Sequence, residues 1–239
     1  ASEVYLPEME RRLAHFCNDT SLDGVFTSVP NDSMEPVIST CIANGIPVVT
    51  INSGFDGQPA VSGVLHHVGS VESQMGRAAA QEMHSKLQEL GGMRQGVCAI
   101  HRAGIGLLSI DQRCESFEKE LSSLDPNINV SRVLFDDENP NSITVTSGLA
   151  ILLNNPSFQL SAAMALKDAS PDGIVVGTFD STERTFEMIQ RGDLFFVVDQ
   201  QQFLQGHLAV ALLTANAYAE EHLQDTLLET GRLFGLDAR

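Results

Sequence analysis

Basic residues are scarce in this sequence. Its 239 residues include 14 Lys and Arg against 31 Asp and Glu, which gives a formal net charge of −17 at pH 7. A surface with this charge repels nucleic acid phosphates and anionic lipid headgroups, so we expect neither as a partner. A neutral or cationic small ligand is easier to accommodate. The apolar fraction of 43% is ordinary for a globular chain, which has room for one large α/β domain or two small lobes.

Long apolar runs are also absent. No run approaches the roughly 18 residues that a membrane-spanning helix needs. The first residues, ASEVYLPEMERR, lack the basic and apolar regions of a signal peptide. If the protein is exported, we therefore expect its signal to have been removed already.

The sequence lacks the common signatures of catalysis and cofactor binding. Ser, His and Asp do not occur in the pattern of a catalytic triad, and neither a glycine-rich phosphate loop nor a metal-ligand cluster stands out. The stretch HRAGIG has only part of a dinucleotide-binding fingerprint, and no acidic partner follows it. We therefore expect a protein without catalytic activity, cofactor or metal.

Cysteine is rare, and its spacing follows no CxxC or metal-ligand pattern. The four cysteines are Cys17, Cys41, Cys98 and Cys114. Cysteines outside such patterns behave as small buried apolar residues, so we expect four buried free thiols.

Apolar, β-branched segments alternate with amphipathic segments along the chain. DGVFTSV and IPVVTIN are typical of buried strands, and MEPVISTCIANG between them places Val37, Ile38 and Cys41 on one helical face. Apolar strands separated by helices predict a parallel sheet that is covered on both faces. The sequence therefore predicts an α/β fold.

Polar side chains end most of the predicted strands. They are Ser28, Asn52, Ser53, Ser70, Asn155, Asp180 and Gln200. Ligands of parallel sheets bind at the carboxyl ends of the strands, and a nearly uncharged set of donors and acceptors suits a sugar. The competing interpretation is that Ser, Asn and Asp cap the helices that follow. Glutamine is not a preferred cap, so Gln200 fits the binding interpretation better.

Four segments, in order, resemble a known family. DGVFTSVPNDSMEPVISTCIANGIPVVTINSG is similar to the first-lobe core of the type I periplasmic sugar-binding proteins. VGSVESQMGRAAAQEM is similar to their first crossing between lobes and the helix after it. VVGTFD and FFVVDQQQFLQGHLAV are similar to a late strand and to the glutamines of the third crossing. Together these segments cover nearly the whole chain.

The resemblance implies a two-lobed α/β fold in which each lobe is a parallel sheet flanked by helices. Lobe one would comprise residues 1–69 and 200–225, and lobe two residues 70–199 and 226–239. A sugar would bind in the cleft between the lobes, which close on it for transport or sensing. The implied partner is a membrane permease or a receptor, and the implied location is periplasmic or extracellular.

The resemblance also assigns ligand contacts residue by residue. It places them on Asn52, Ser70, Arg113, Asn155, Asp180 and Gln200. Arg113, in DQRCESF, would present its guanidinium to ring hydroxyls and would itself be held by Asp180. Phe179 would either offer an apolar face to the sugar or belong to the core.

The opening strand and helix of the family have no counterpart in this sequence. We therefore expect DGVFTSV to have an open strand edge in lobe one, and an open edge tends to find a partner. Either the segment SEVYL pairs with it or a second chain covers it. We expect the second chain, and hence a homo-oligomer joined through lobe one.

Two functions other than sugar binding stay open. The chain could be the effector-binding core of a transcription regulator, which would need a DNA-binding headpiece and tolerance of the net charge of −17. It could also be a truncated relative of the family that acts only as an interaction module. Of the three, we expect non-catalytic sugar binding.

Overall fold

The computed structural model describes residues 2–54, 56–57, 59–89, 91, 95–135, 148–154, 164, 173–218, 227–228 and 232–235. In chain order the helices and strands are α1 (Ser2–Cys17), β1 (Val25–Ser28), α2 (Glu35–Ala43), β2 (Val48–Asn52), β3 (His66–Gly69), α3 (Glu72–Glu89), β4 (Gln95–His101), α4 (Leu108–Leu124), β5 (Asn129–Phe135), β6 (Leu149–Asn154), β7 (Ile174–Phe179), α5 (Glu183–Arg191), β8 (Phe196–Asp199), α6 (Gln202–Tyr218), β9 (Leu227–Leu228) and β10 (Arg232–Gly235). Short 3₁₀ turns occupy Asp32–Met34 and Arg102–Gly104.

The chain divides into two compact units. Unit 1 comprises Ala1–Val71, Leu107–Ser109 and Gln201–Gly231, and unit 2 comprises Glu72–Gly106, Ile110–Gln200 and Arg232–Arg239. The main divisions follow residues 71, 200 and 231, whereas the sequence-based boundaries follow residues 69, 199 and 225. As a result Ser70 belongs to unit 1 and Gln200 to unit 2, the reverse of the predicted assignment.

Unit 1 is a parallel sheet with helices on both faces. Its four strands lie in the order β1-β2-β3-β9, and every pair is parallel. Alternate residues of β2 face opposite layers: Val48 packs in the cluster of α1 and α2, and Val49 packs against α6. This is the layer pattern that fully apolar strands predict.

Unit 2 is a larger sheet of the same kind. Its six strands lie in the order β10-β8-β7-β6-β4-β5, and only β10 is antiparallel to its neighbour. On one face, Met188 and Ile189 of α5 pack on alternate residues of β4, β6 and β7. On the other face α4 approaches β4 so closely that a Cβ at Gly96 would lie 2.6 Å from a side-chain carbon of Leu121.

The prediction of free thiols is wrong. All four cysteines are buried, as expected, but they form the disulfides Cys17–Cys41 and Cys98–Cys114, and no cysteine is free. The first joins α1 to α2, and the second joins β4 to α4. Sequence spacing cannot reveal such pairs because they depend on which helix packs on which neighbour, here with Cα atoms 4.4 and 5.6 Å apart.

Two further sequence-based expectations concern the ends and connections of the chain. The segment SEVYL belongs to α1, so it does not pair with β1. The segment SFQLSAAMALKDAS, whose sequence pattern predicts a helix, lies outside the described residues except for Met164. In the described part of the chain, no helix is both long and apolar enough to cross a membrane.

Candidate functional site

Two neighbouring strands of unit 2 bring Asp180 and Gln200 to the same edge of the sheet. Asp180 follows β7 and Gln200 follows β8, and the register pairs Phe179 with Val198. The Asp180 N–H donates to the Val198 carbonyl at 2.8 Å, which continues the strand pairing by one residue. Two of the polar side chains predicted at strand ends, those of Asp180 and Gln200, therefore lie side by side.

The buried side chain at the centre of this group is Arg113 of α4. Only 4% of Arg113 is exposed, and none of Glu72, which lies at the start of α3. The Arg113 Nε–H donates to Glu72 Oε2, and Nη2 donates to Glu72 Oε1 at 3.1 Å. A fork of this kind fixes both the position and the plane of the guanidinium.

Gln200 links Arg113 to Asp180. Arg113 Nη2 donates to Gln200 Oε1, and Gln200 Nε2 donates to Asp180 Oδ1. This orientation of the amide follows from chemistry, because a guanidinium only donates and a carboxylate only accepts. An amide is the side chain that can do both, which explains a glutamine at the end of a strand.

The predicted partner of the arginine is therefore corrected. We expected Asp180 to hold Arg113 directly, but Glu72 does so, and Asp180 is joined to Arg113 through Gln200. Glu72 could not be singled out from the sequence, because an acidic residue in the first turn of a helix is ordinarily explained by the helix dipole alone.

A glycine one turn further along α3 explains how Glu72 reaches Arg113. A Cβ at Gly76 would lie 2.3 Å from the Arg113 carbonyl oxygen, so only a residue without a side chain lets α3 and α4 approach this closely. Glu72 and Gly76 are four residues apart and share a helix face. This Glu-x-x-x-Gly spacing is the one sequence signal that could have suggested the pair.

The guanidinium of Arg113 stacks over the ring of Phe179. The Arg113 guanidinium carbon lies 4.3 Å from the centre of the Phe179 ring, a cation–π contact, and the ring is fully buried. Of the two roles predicted for Phe179, the structure favours the core. Its ring face is occupied by Arg113 rather than open to a ligand.

Not all N–H groups of Arg113 are hydrogen-bonded within the described residues. Of the five N–H groups of a guanidinium, the one on Nε and the two on Nη2 are bonded, and within the described residues the two on Nη1 have no hydrogen-bond partner. One positive and two negative side chains give this Arg113 cluster (Glu72, Arg113, Phe179, Asp180 and Gln200) a formal charge of −1. The cluster can donate from a rigid guanidinium next to a carboxylate that accepts.

Capping does not explain the strand-end residues. The residue that caps α5 is Thr182, whose hydroxyl accepts from the Thr185 N–H at 3.1 Å, rather than Asp180. Asn31, rather than Ser28, caps the 3₁₀ turn after β1. The Ser70 hydroxyl, just before α3, has no hydrogen-bond partner in the described part of the chain and so caps nothing.

Strand ends in both units adopt an unusual backbone conformation. The φ angles of Asn52, Asp180 and Gln201 are +62°, +66° and +54°. Residues other than glycine rarely occupy this left-handed region, and they concentrate at functional sites where the surrounding structure holds them. These three positions adjoin β2, β7 and β8.

Unit 1 gathers its own strand-end residues. Ser28, Asn52 and Ser70 end or follow the neighbouring strands β1, β2 and β3, where Ser28 pairs with Ile51 and Asn52 with Gly69. Ser53 and Ser70 are buried, and Ser28 and Asn52 are half-buried. All four are neutral. The other predicted residue, Asn155, lies outside the described residues.

His67, on β3, belongs to the interior of unit 1. Its Nδ1 lies 2.9 Å from the Thr50 hydroxyl oxygen, and only 3% of the residue is exposed. Burial penalises the charged imidazolium and lowers the pKa of His67 to about 4. His67 is therefore neutral at pH 7. No group of three or more potential metal ligands occurs among the described residues.

A sequence profile of the periplasmic binding protein domain matches residues 21–221, most of the 239-residue chain. The chain belongs to the periplasmic binding protein family. This confirms the family resemblance of the sequence motifs and the predicted α/β fold with parallel sheets flanked by helices. Members of the family bind solutes and are not enzymes. No curated protein matches this periplasmic binding protein by sequence.

Solved structures share its fold. A carbohydrate transporter solute-binding protein from Agrobacterium radiobacter, in complex with D-arabinose, is similar with a TM-score of 0.81 and 16% identity, over 95% of this chain and 78% of that one. A carbohydrate transporter from Acidothermus cellulolyticus 11B, in complex with myo-inositol, is similar with a TM-score of 0.73 and 21% identity, over 93% of this chain and 76% of that one. The XylFII–LytSN complex is similar with a TM-score of 0.77 and 20% identity, over 95% of this chain and 82% of that one.

Proposed function

We propose that this protein binds a neutral polyhydroxylated molecule, a sugar or a cyclic polyol, and releases it unchanged. The observation that carries the proposal is the Arg113 guanidinium, which Glu72, Gln200 and Phe179 fix while its Nη1 donors have no partner among the described residues. Rigid donors of this kind suit ring hydroxyls, because they lose little freedom when the ligand binds.

Charge favours a neutral ligand over an acidic one. The Arg113 cluster carries a formal charge of −1 and the whole chain −17. A uronate or a sugar phosphate would meet repulsion from both, and the charge of Arg113 is already neutralised by Glu72. The D-arabinose and myo-inositol bound by two structural neighbours are neutral polyols, which supports the same class here.

The polar strand ends of unit 1 are further proposed ligand contacts within their own unit. Ser28, Asn52, Ser53 and Ser70 offer neutral donors and acceptors at one edge of their sheet. Asn155 remains a predicted ligand contact from the sequence alone.

The proposed setting is a transport or sensing system outside the cytoplasm. Two disulfides support an oxidising compartment, periplasmic or extracellular, since cytosolic thiols are kept reduced. The proposed partner is a membrane permease or a receptor. Structural similarity to the XylFII–LytSN complex supports a role in which the protein contacts a second protein.

Thermal unfolding with and without ligand tests the proposal. Ribose, arabinose, xylose, glucose, galactose and myo-inositol form the neutral set, and glucuronate is the matched anionic control. A ligand at 100 times its Kd stabilises by about 2.7 kcal/mol, which is readily measured as a rise in Tm. We expect at least one neutral compound to raise Tm, glucuronate to have no effect, and Arg113→Lys to abolish the rise. A flat response to the whole neutral set would contradict the proposal.

A further inference from the structure

A disulfide of unit 2 lies directly beside the arginine of the proposed site. Cys114 follows Arg113 in α4, and its sulfur is bonded to that of Cys98 on β4. Neither cysteine is exposed. Two successive residues of one helix therefore have different partners. The guanidinium of Arg113 is hydrogen-bonded to Glu72 and Gln200, whereas Cys114 is joined covalently to the sheet.

The disulfide fixes where α4 lies along β4. Leu121 packs over Gly96, and Cys114, two helical turns before Leu121, is joined to Cys98. The helix therefore runs in the direction opposite to the strand, and its first turns lie towards the carboxyl end of β4. This is the edge of the parallel sheet at which β7 and β8 end in polar side chains.

A small movement of α4 would separate Arg113 from its partners. A helix rises about 1.5 Å per residue, whereas the donor–acceptor distances of N–H···O hydrogen bonds vary by only about 0.5 Å. Groups that form a binding site must be held to about the same precision. Gln200 follows a strand of the sheet that contains Cys98, with β6 and β7 between β8 and β4. One covalent bond therefore connects the sheet that carries Gln200 to the helix that carries Arg113.

We propose that the Cys98–Cys114 disulfide is a positioning element of the binding site, which holds the Arg113 guanidinium at the sheet edge and so sets the affinity for the ligand. The inference rests on the proposed function, because it takes Arg113 as a ligand contact. It gives the two disulfides of the chain different roles. Cys17–Cys41 joins α1 to α2 in unit 1, and neither of these helices carries a predicted ligand contact.

Calorimetric titration of matched variants tests this difference. The test variant is Cys98→Ala/Cys114→Ala, and the control is Cys17→Ala/Cys41→Ala. Each is titrated with ribose, arabinose, xylose, glucose, galactose and myo-inositol. For the compounds that bind the parent, we expect Kd to rise about tenfold or more in the test variant, the effect of losing one hydrogen bond to a charged group. The control should bind as the parent does.

A general loss of stability cannot produce this difference. The control disulfide joins cysteines 24 residues apart, and the test disulfide joins cysteines 16 residues apart. Because a longer closed loop restricts the unfolded chain more, removing the control disulfide should lower Tm at least as much. An effect of folding on affinity would therefore appear in both variants.

The NMR signal of the Arg113 Nε–H group reports the position of the guanidinium without any ligand. Its absence from the spectrum of Arg113→Lys identifies it, and the bond to Glu72 should shift it downfield and slow its exchange. We expect the same signal in the parent and in the control variant, and a shifted or broadened signal in the test variant. Cys98→Val/Cys114→Ala fills more of the space left by the sulfurs, and it replaces the test variant if the double alanine variant does not fold.

The two measurements separate this proposal from the proposed function. Equal affinities in the test and control variants overturn the proposal, and so does an unchanged Arg113 signal in the test variant. If the parent binds none of the six compounds, the proposed function fails. The Arg113 signal then decides alone whether the disulfide positions the arginine.

Discussion

The two units end their strands in polar side chains, yet among the described residues it is those of unit 2 that belong to a hydrogen-bonded network, together with two helix residues. Arg113, Glu72, Gln200 and Asp180 form a continuous chain of charge-assisted hydrogen bonds. In unit 1 the strand ends are neutral, and the buried hydroxyl of Ser70 has no partner among the described residues. A similar pattern in the sequence thus produces a rigid charged group in one unit and separate neutral groups in the other.

The units share a backbone device despite this difference. Asn52 in unit 1 and Asp180 in unit 2 both have left-handed φ angles, +62° and +66°. Asn and Asp tolerate this conformation better than most residues do. The side chains therefore differ in their connections more than in the way the strands present them.

Removing the carboxylate of Glu72 should have the largest effect on the stability of the protein. Breaking a buried ion pair by removing one partner leaves an uncompensated charge and costs about 3–5 kcal/mol. We expect Glu72→Ala to lower the free energy of unfolding by that amount, measured by urea unfolding followed by circular dichroism. Glu120→Ala is the control, because that glutamate is only half-buried and its side chain accepts from Gln81 at the surface. A loss below about 1 kcal/mol, the range of exposed pairs, would show that the pair does not organise unit 2.

Protonation of His67 is the corresponding test of unit 1. The pKa of His67 in the folded protein is about 4, below the ordinary value of 6.5, so the unfolded chain takes up its proton first as the pH falls. Stability should therefore be lost progressively from pH 6.5 to pH 4, by about 3 kcal/mol in total.

The comparison of the parent with His67→Gln isolates this contribution. Many carboxylates titrate over the same range, but they are common to both proteins and cancel in the difference. We expect the variant to lose about 3 kcal/mol less than the parent between pH 7 and pH 4, measured by urea unfolding at each pH. Parallel stability curves for the two proteins would contradict the assigned pKa.

Replacing Gln200 by Glu should lower the free energy of unfolding by less than Glu72→Ala does. The new carboxylate can still accept from Arg113, but it cannot donate to Asp180 and places a like charge beside it. A lost hydrogen bond to a charged group corresponds to about 1.5–3 kcal/mol of stability. Gln202→Glu is the control, since Gln202 is exposed at the start of α6, where an acidic residue is favourable.

The pH dependence of Gln200→Glu provides the decisive result. One protonated carboxyl could donate to the other, so the destabilisation should shrink as the pH falls towards the ordinary pKa of carboxyl groups, about 4. A destabilisation that is independent of pH would mean that the amide bridge contributes packing rather than its donor.

The sequence was sufficient for the fold and for most of the strand ends. Alternation of apolar strands and helices predicts the layers correctly, and the register of neighbouring parallel strands then brings Asp180 and Gln200 together. Contacts between helices could not be predicted from the sequence. Glu72 meets Arg113, and Cys17 meets Cys41, only because particular helix faces pack closely, at Gly76 in the first case. Periodicity identifies which face of a helix is buried but not which residue it meets.

Truncating Ser70 should have the smallest effect, and it gives the clearest contrast with Glu72. The Ser70 hydroxyl is buried and has no hydrogen-bond partner in the described part of the chain, so removing it breaks no bond and leaves no partner unsatisfied. We therefore expect Ser70→Ala to change the free energy of unfolding by less than about 0.5 kcal/mol, or to raise it slightly. If the hydroxyl serves a ligand instead of the fold, the same variant should weaken the sugar-induced rise in Tm while leaving Tm without sugar unchanged. Loss of stability in the absence of sugar would show that Ser70 is structural, and the neutral strand ends of unit 1 would then need a different explanation.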